Sequence, residues 1–157
     1  MDSDSSASML PASGKLLGLD LGSKTIGVAV SDALRYTATP LETVIRTKFT
    51  ADAARLVDLI AENQAVGLVL GLPLNMDGSE GPRVQSTRAF ARNLAQKTPL
   101  PIAFWDERLS TSAVTRMLIE ADTRRDRRAE VVDKLAASYI LQGYLDRLRL
   151  APPGEAG

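Results

Sequence analysis

The chain has 157 residues, 45% of them hydrophobic, with 19 basic and 19 acidic side chains and a net charge of zero. That length suits one domain with one sizeable core, and the balanced charge excludes a bulk polycation, so any nucleic-acid contact must come from local patches. The absence of Cys and His removes disulfides, thiolate and imidazole metal sites, and every Ser–His or Cys–His nucleophile pair.

Residues 1–13 are rich in Ser, Asp and Ala and lack a basic start. They read as a disordered tail and not as a signal peptide, and no apolar run is long enough to span a membrane, so the default location is the cytoplasm. Residues 16–21 read as a strand, 22–24 as a tight turn and 25–31 as the returning strand of a hairpin. A third short strand is expected over 41–46. Thr50 is placed as a helix N-cap with Asp52 in the first turn, and Ala53, Leu56, Val57 and Ile60 then recur at helical spacing. The apolar run 66–70 reads as a buried, parallel strand. Residues 71–82, with three Gly and two Pro, form a loop, and Pro82 suits the first position of a second helix carrying Val84, Ala91, Leu94 and Ala95 inward. Residues 101–105 read as another strand. Ser110 is placed as the cap of a third helix with Val114, Met117, Leu118 and Ala121 inward. A charged connector is expected over 122–128, then a long last helix over 129–149. This order predicts a single α/β domain over 14–150, with a mixed central sheet and helices on both faces, followed by a short tail, 151–157.

Three carboxylates stand out. Asp20 is the one charge in an apolar strand, where an ionised carboxylate is costly unless a cation or donors meet it; read alone, it caps its own turn. Glu107 directly follows the last strand, where open α/β sheets form their usual crevice; read alone, Asp106 and Glu107 are solvated charges beside Arg108. Asp133 shares a helical face with Ala129, Ala136, Ala137, Ile140 and Tyr144, and is placed in about the first turn of the last helix, where the dipole favours an anion. Clustered carboxylates repel unless divalent cations neutralise them. With no His, a hard, oxygen-bound Mg²⁺ or Mn²⁺ is the expected cofactor. Two such ions about 3.5–4 Å apart are the common arrangement in enzymes that cut phosphodiesters.

Residues 18–32 (GLDLGSKTIGVAVSD), 71–82 (GLPLNMDGSEGP), 106–111 (DERLST) and 133–141 (DKLAASYIL) resemble the four blocks of the YqgF family. These are bacterial proteins similar to the Holliday junction resolvase RuvC, with a ribonuclease H-like fold. The resemblance runs from about residue 15 to 146. It implies that Asp20, Glu107 and Asp133 are the catalytic, metal-holding acids. It also implies trimming of the 5′ end of the 16S ribosomal RNA precursor, with cutting of branched DNA by some members. Thr25 stands where the family often has Arg. The acidic residue that RuvC-type enzymes carry near the strand at 66–70 is absent, and Glu107 takes its place.

The expected partners are therefore nucleic acids, structured RNA first and branched DNA second. Candidate phosphate contacts are Lys24, Arg83 and Arg108, together with the cluster Arg124, Arg125, Arg127 and Arg128. Three other readings compete. A junction-resolving DNA endonuclease would use the same acids and would be a two-fold homodimer. A non-catalytic RNA-binding factor would have no reason to keep repelling charges inward. An actin-like or sugar-kinase ATPase, whose phosphate-binding hairpin is similar, needs two such domains.

Overall fold

The computed structural model describes residues 10–109 and 125–150, with side chains described for 10–109 and 134–149. The helix expected after Ser110 and both tails except residues 10–13 lie outside the described residues.

Five strands form one sheet in the order β3-β2-β1-β4-β5: β1 (Lys15–Leu21), β2 (Thr25–Ser31), β3 (Ala38–Ile45), β4 (Ala65–Leu72) and β5 (Ile102–Asp106). The pairs β1–β2 and β2–β3 are antiparallel, while β1–β4 and β4–β5 are parallel. Period-two alternation divides the apolar residues between the two faces. On one face Leu17, Leu19, Ile26, Val28, Leu68 and Leu70 pack against α1 (Phe49–Asn63) and α2 (Pro82–Leu94) through Leu56, Leu59, Phe90 and Leu94. On the other, Leu16, Ala29, Val69, Ala103 and Trp105 meet a single long helix, α3 (Arg125–Leu150), through Ala137, Ile140, Leu141, Tyr144 and Leu145. The mixed sheet with helices on both faces is as the hydrophobic pattern predicts. Among the described residues no helix is long and apolar enough to cross a membrane.

Four local expectations change. β3 starts at Ala38, three residues early, because it is an edge strand. Its Pro40 sits where the register skips, between Val28↔Glu42 and Ala29↔Pro40, and edge irregularities are where strand prolines are tolerated. Helix α1 begins two residues sooner than a Thr50 cap implies: Lys48 is the N-cap, without a side-chain cap bond. The buried Asp52 carboxylate instead reaches back to accept from the Thr47 backbone N–H at 3.0 Å. Ala95 is an exposed C-cap residue, and Phe90 takes the inward position. Residues 125–128 are the first turn of α3 and not a connector, consistent with Arg being a good helix former even in a charged run.

Candidate functional site

The strand alternation that sends Leu17 and Leu19 to one core sends Leu16, Gly18 and Asp20 toward α3. A Cβ on Gly18 would stand 2.7 Å from Leu141 Cβ, so the helix lies close on that face. Asp20 follows two residues later and is 3% exposed. Its antiparallel neighbour on β2 is Gly27. On β4 the register ends at Leu19↔Leu70, so the next position beside Asp20 is Gly71. Glycines therefore flank the buried carboxylate on both sides, leaving room above the sheet.

Glu107 uses that room. It opens the single 3₁₀ turn Glu107–Leu109 that follows β5. A Cβ on Gly71 would stand 2.9 Å from Glu107 Oε2 and 2.6 Å from Ile140 Cδ1. The Glu107 carboxylate thus folds back over Gly71, on the α3 face, next to the strand position of Asp20. The neighbouring acid, Asp106, has a different part: Arg108 forks onto it at 2.7 and 3.1 Å and also donates to the Met76 carbonyl at 3.2 Å. The Arg108 guanidinium holds the Asp106 carboxyl below its ordinary range. This ion pair ties the loop between β4 and α2 to the end of β5. Within that loop Asp77 accepts from the Ser79 hydroxyl and backbone N–H, and Gly78 takes a left-handed φ of 89° beneath Arg108.

The backbone of Asp133 lies nine residues into α3, in its third turn. That corrects the expected first-turn position, so the dipole, whose effect fades within the first turn, does not explain this acid. The Asp133 side chain lies outside the described residues, as do those of Arg125, Arg127 and Arg128, and Arg124 lies outside them altogether. Helix α3 runs antiparallel to β1. Arg149, near its end, donates to the Arg35 and Tyr36 carbonyls, and Arg35 caps Gly14 at the start of β1. Ala137 and Leu141 cover Gly18 in mid-strand. Moving upstream along α3 leads toward the Asp20 end of the sheet. Among the described residues no group of three acids is close enough to hold a metal; the set would need Asp133.

The expected phosphate contacts separate. Arg83, in the first turn of α2, donates to the Leu21 carbonyl at 3.4 Å, and Lys24 is exposed in the hairpin turn. Arg108 is engaged with Asp106 as described. Arg46, which the sequence reading passed over, joins the first two: its guanidinium donates to the Gly22 carbonyl, its backbone N–H to the Lys24 carbonyl. Its signal was an arginine directly after a strand that pairs with the hairpin.

Residues 14–147 match the family model for RuvX, described as Holliday junction resolvase. The chain belongs to the RuvX family. It is 73% identical over 139 residues to a protein of Cereibacter sphaeroides named pre-16S rRNA nuclease, covering 88% of this chain and 87% of that protein. A protein of the same name from Paracoccus denitrificans is 68% identical over 143 residues, covering 91% and 90%. Among solved structures, Thermus thermophilus RuvC in complex with a Holliday junction substrate superposes with a TM-score of 0.55 at 14% identity, covering 89% of this chain and 99% of RuvC. That likeness establishes the ribonuclease H-like fold shared with RuvC. The family is the one that the four sequence blocks resemble.

Proposed function

We propose that this chain is a divalent-metal-dependent nuclease that hydrolyses phosphodiesters in structured RNA, acting in 5′-end maturation of the 16S rRNA precursor. The observation that carries the reading is the Glu107 carboxylate seated over Gly71, beside the buried Asp20. The names of the close relatives supply the substrate class.

The residues present fit a hard cation. Asp20 and Glu107 offer oxygen donors only, and the glycine at 71 lets the Glu107 carboxylate lie down over β4 beside Ile140. Asp133 is the third donor of the proposal, reached by following α3 upstream from Ala137. When bound, such cations neutralise the developing charge on the phosphodiester and favour ionisation of the attacking water. The chain's own groups do the rest. Burial keeps Asp20 in one place. The 3₁₀ turn and the Arg108–Asp106 pair hold Glu107 at the strand end. Lys24, Arg83 and the arginines at 124, 125, 127 and 128 are the proposed contacts to the nucleic-acid backbone.

A second reading, cutting of a four-way DNA junction, is favoured by the family model's own description. It would require a two-fold dimer with paired sites. The deciding experiment is a cleavage assay on precursor rRNA and on a four-way junction, in Mg²⁺ or Mn²⁺, comparing the parent with Asp20→Asn. RNA cleavage that disappears in Asp20→Asn and in excess EDTA supports the first reading. Undiminished cutting in EDTA overturns the metal-dependent reading.

A further inference from the structure

On the other face of the sheet from Asp20, the end of β1 borders a second feature. Leu21, Gly22, Ser23, Arg46, Arg83 and Ser86, with Thr87 and Phe90 behind them, line a cleft of about 490 Å³. Two guanidinium groups and two exposed hydroxyl side chains contribute to it, and no carboxylate does.

Four of the other described arginines are held in ion pairs, while Arg35 donates to the Gly14 carbonyl instead. Arg55 pairs with Glu42 and Glu62, Arg88 with Glu80, Arg108 with Asp106 and Arg149 with Asp146. Among the described residues Arg46 and Arg83 have no acidic partner, and their side chains donate only to the main-chain carbonyls of Gly22 and Leu21. Arg46 is also stacked over the Phe90 ring, 5.6 Å from its centroid. Its conformational freedom is therefore already spent, which lowers the cost of binding an anion. A planar fork held in this way suits the oxygens of a phosphate.

We propose that this cleft is a second backbone-phosphate subsite, which takes a phosphodiester of the substrate strand next to the one being cut. The proposal rests on the nuclease reading above. Its geometry is that of the strand end: Gly22, just past the end of β1, lies two residues beyond Asp20, about 7 Å at ordinary strand rise. A nucleic-acid strand crossing the end of β1 would meet the carboxylates on one face and Arg46 with Arg83 on the other. The subsite would fix the register of the strand relative to the acids without taking part in the chemistry.

The test uses the full chain and a fluorescein-labelled RNA hairpin with a single-stranded 5′ extension. Affinity is measured by anisotropy in Ca²⁺ across a KCl series, for the parent, Arg83→Ala, Arg46→Lys and Asp20→Asn. Arg83 is exposed, so its removal leaves the fold intact. Arg46→Lys keeps the charge but loses the fork, guarding against collapse of the turn; melting temperatures check both. Arg83→Ala should weaken binding about tenfold at low salt and flatten the slope of log affinity against log salt by about 0.7–0.9. Arg46→Lys should weaken binding and leave the slope unchanged. In cleavage, both should raise KM more than they lower kcat. Unchanged affinity and slope in both variants, with the parent binding and cutting the RNA, overturns the subsite alone. Failure of the parent to cut any RNA overturns the nuclease reading instead. Inorganic phosphate is the control ligand: if millimolar phosphate stabilises the parent but not Arg83→Ala and displaces no RNA, the cleft is a free-anion site and the proposal fails.

Discussion

Gly71→Ala is the substitution that asks most of the site. Gly71 does not have a left-handed backbone, since the positive-φ glycines among the described residues are Gly14 and Gly78, so alanine suffers only from space. Its methyl would stand 2.6 Å from Ile140 Cδ1, and 2.9 Å from Glu107 Oε2. Ordinary carbon contacts begin at about 3.5 Å, so each neighbour must retreat by roughly 0.5–1 Å. Overpacking of this size costs about 1–3 kcal/mol, or a few to about ten degrees in melting temperature for a domain of this size. Glu107 is the easier of the two to displace, because it stands on a short turn and not in a packed helix. A misplacement near 1 Å in a reacting constellation costs about 10²-fold in rate. The assay is turnover of precursor RNA at saturating Mg²⁺, read beside thermal unfolding. Gly14→Ala is the control: at the far end of β1 its φ of 107° and its 2.9 Å approach to Val66 destabilise the fold with no contact to either acid. Its folded fraction should turn over normally. If Gly71→Ala is folded and cuts at the parental rate, the Glu107 carboxylate is not part of the reacting geometry.

Asp20→Asn, Glu107→Gln and Asp133→Asn should each lower turnover at least about 10²-fold while staying folded, and the melting temperature of the metal-free protein should rise in one or more of them as like-charge repulsion is relieved; three folded variants with normal rates would refute the assignment. Arg108→Ala should free the loop between β4 and α2 and lower turnover. Because Arg108 depresses the Asp106 pKa, the pair stabilises the parent above the ordinary carboxylate range near pH 4 and loses that contribution as pH falls through the lower folded value; a parent and variant with the same acid-unfolding curve would show that the pair is not coupled to folding. The Tyr144 hydroxyl is buried without a hydrogen-bond partner among the described residues, and burial, opposed by Arg35, pushes its pKa up to about 12. Stability should hold to about pH 10 and then fall by about 2–3 kcal/mol as pH rises through 12; Tyr144→Phe should remove that fall and be no less stable at pH 7, and a parallel alkaline decline in both proteins would refute the cause.

What could be read in the sequence was what depends on neighbours in the chain. The β1–β2 hairpin follows from alternation and a tight turn, and β4 from an unbroken apolar run. The inward face of α3 follows from Ala136, Ala137, Ile140 and Tyr144, all buried. Asp20 stood out because a charge in such a strand demands a reason. What could not be read depends on distant partners. The strand expected over 41–46 starts earlier, at Ala38, because Pro40 is tolerated at an edge position next to a register skip. Gly71 looked like the first residue of a loop, since only the parallel pairing of β4 with β5 brings Glu107 over it. Arg46 drew no notice in the sequence because its partners, Gly22 and Phe90, lie 24 residues before it and far after it.

The same close contacts bear on how, in the proposed site, Asp133 of α3 would come to lie near Asp20 of β1 and Glu107 after β5. A helix at ordinary depth over a sheet would hold its side chains well above the strands. Here glycine removes the obstruction three times: Leu141 settles onto Gly18, Ile140 onto Gly71, and the Trp105 ring onto Gly143, whose Cβ would stand 2.9 Å from it. The helix is thereby set low, with its direction opposed to β1. From Ala137, whose carbonyl oxygen would be 3.1 Å from a Cβ at Gly18, one turn upstream is about 6 Å of helix and reaches residue 133. From Gly18, two residues onward is about 7 Å of strand and reaches Asp20. The two displacements run the same way and nearly match. The packing of the C-terminal half of α3, which contains no functional residue of the proposal, is thus what would bring Asp133 level with Asp20 in the proposed site.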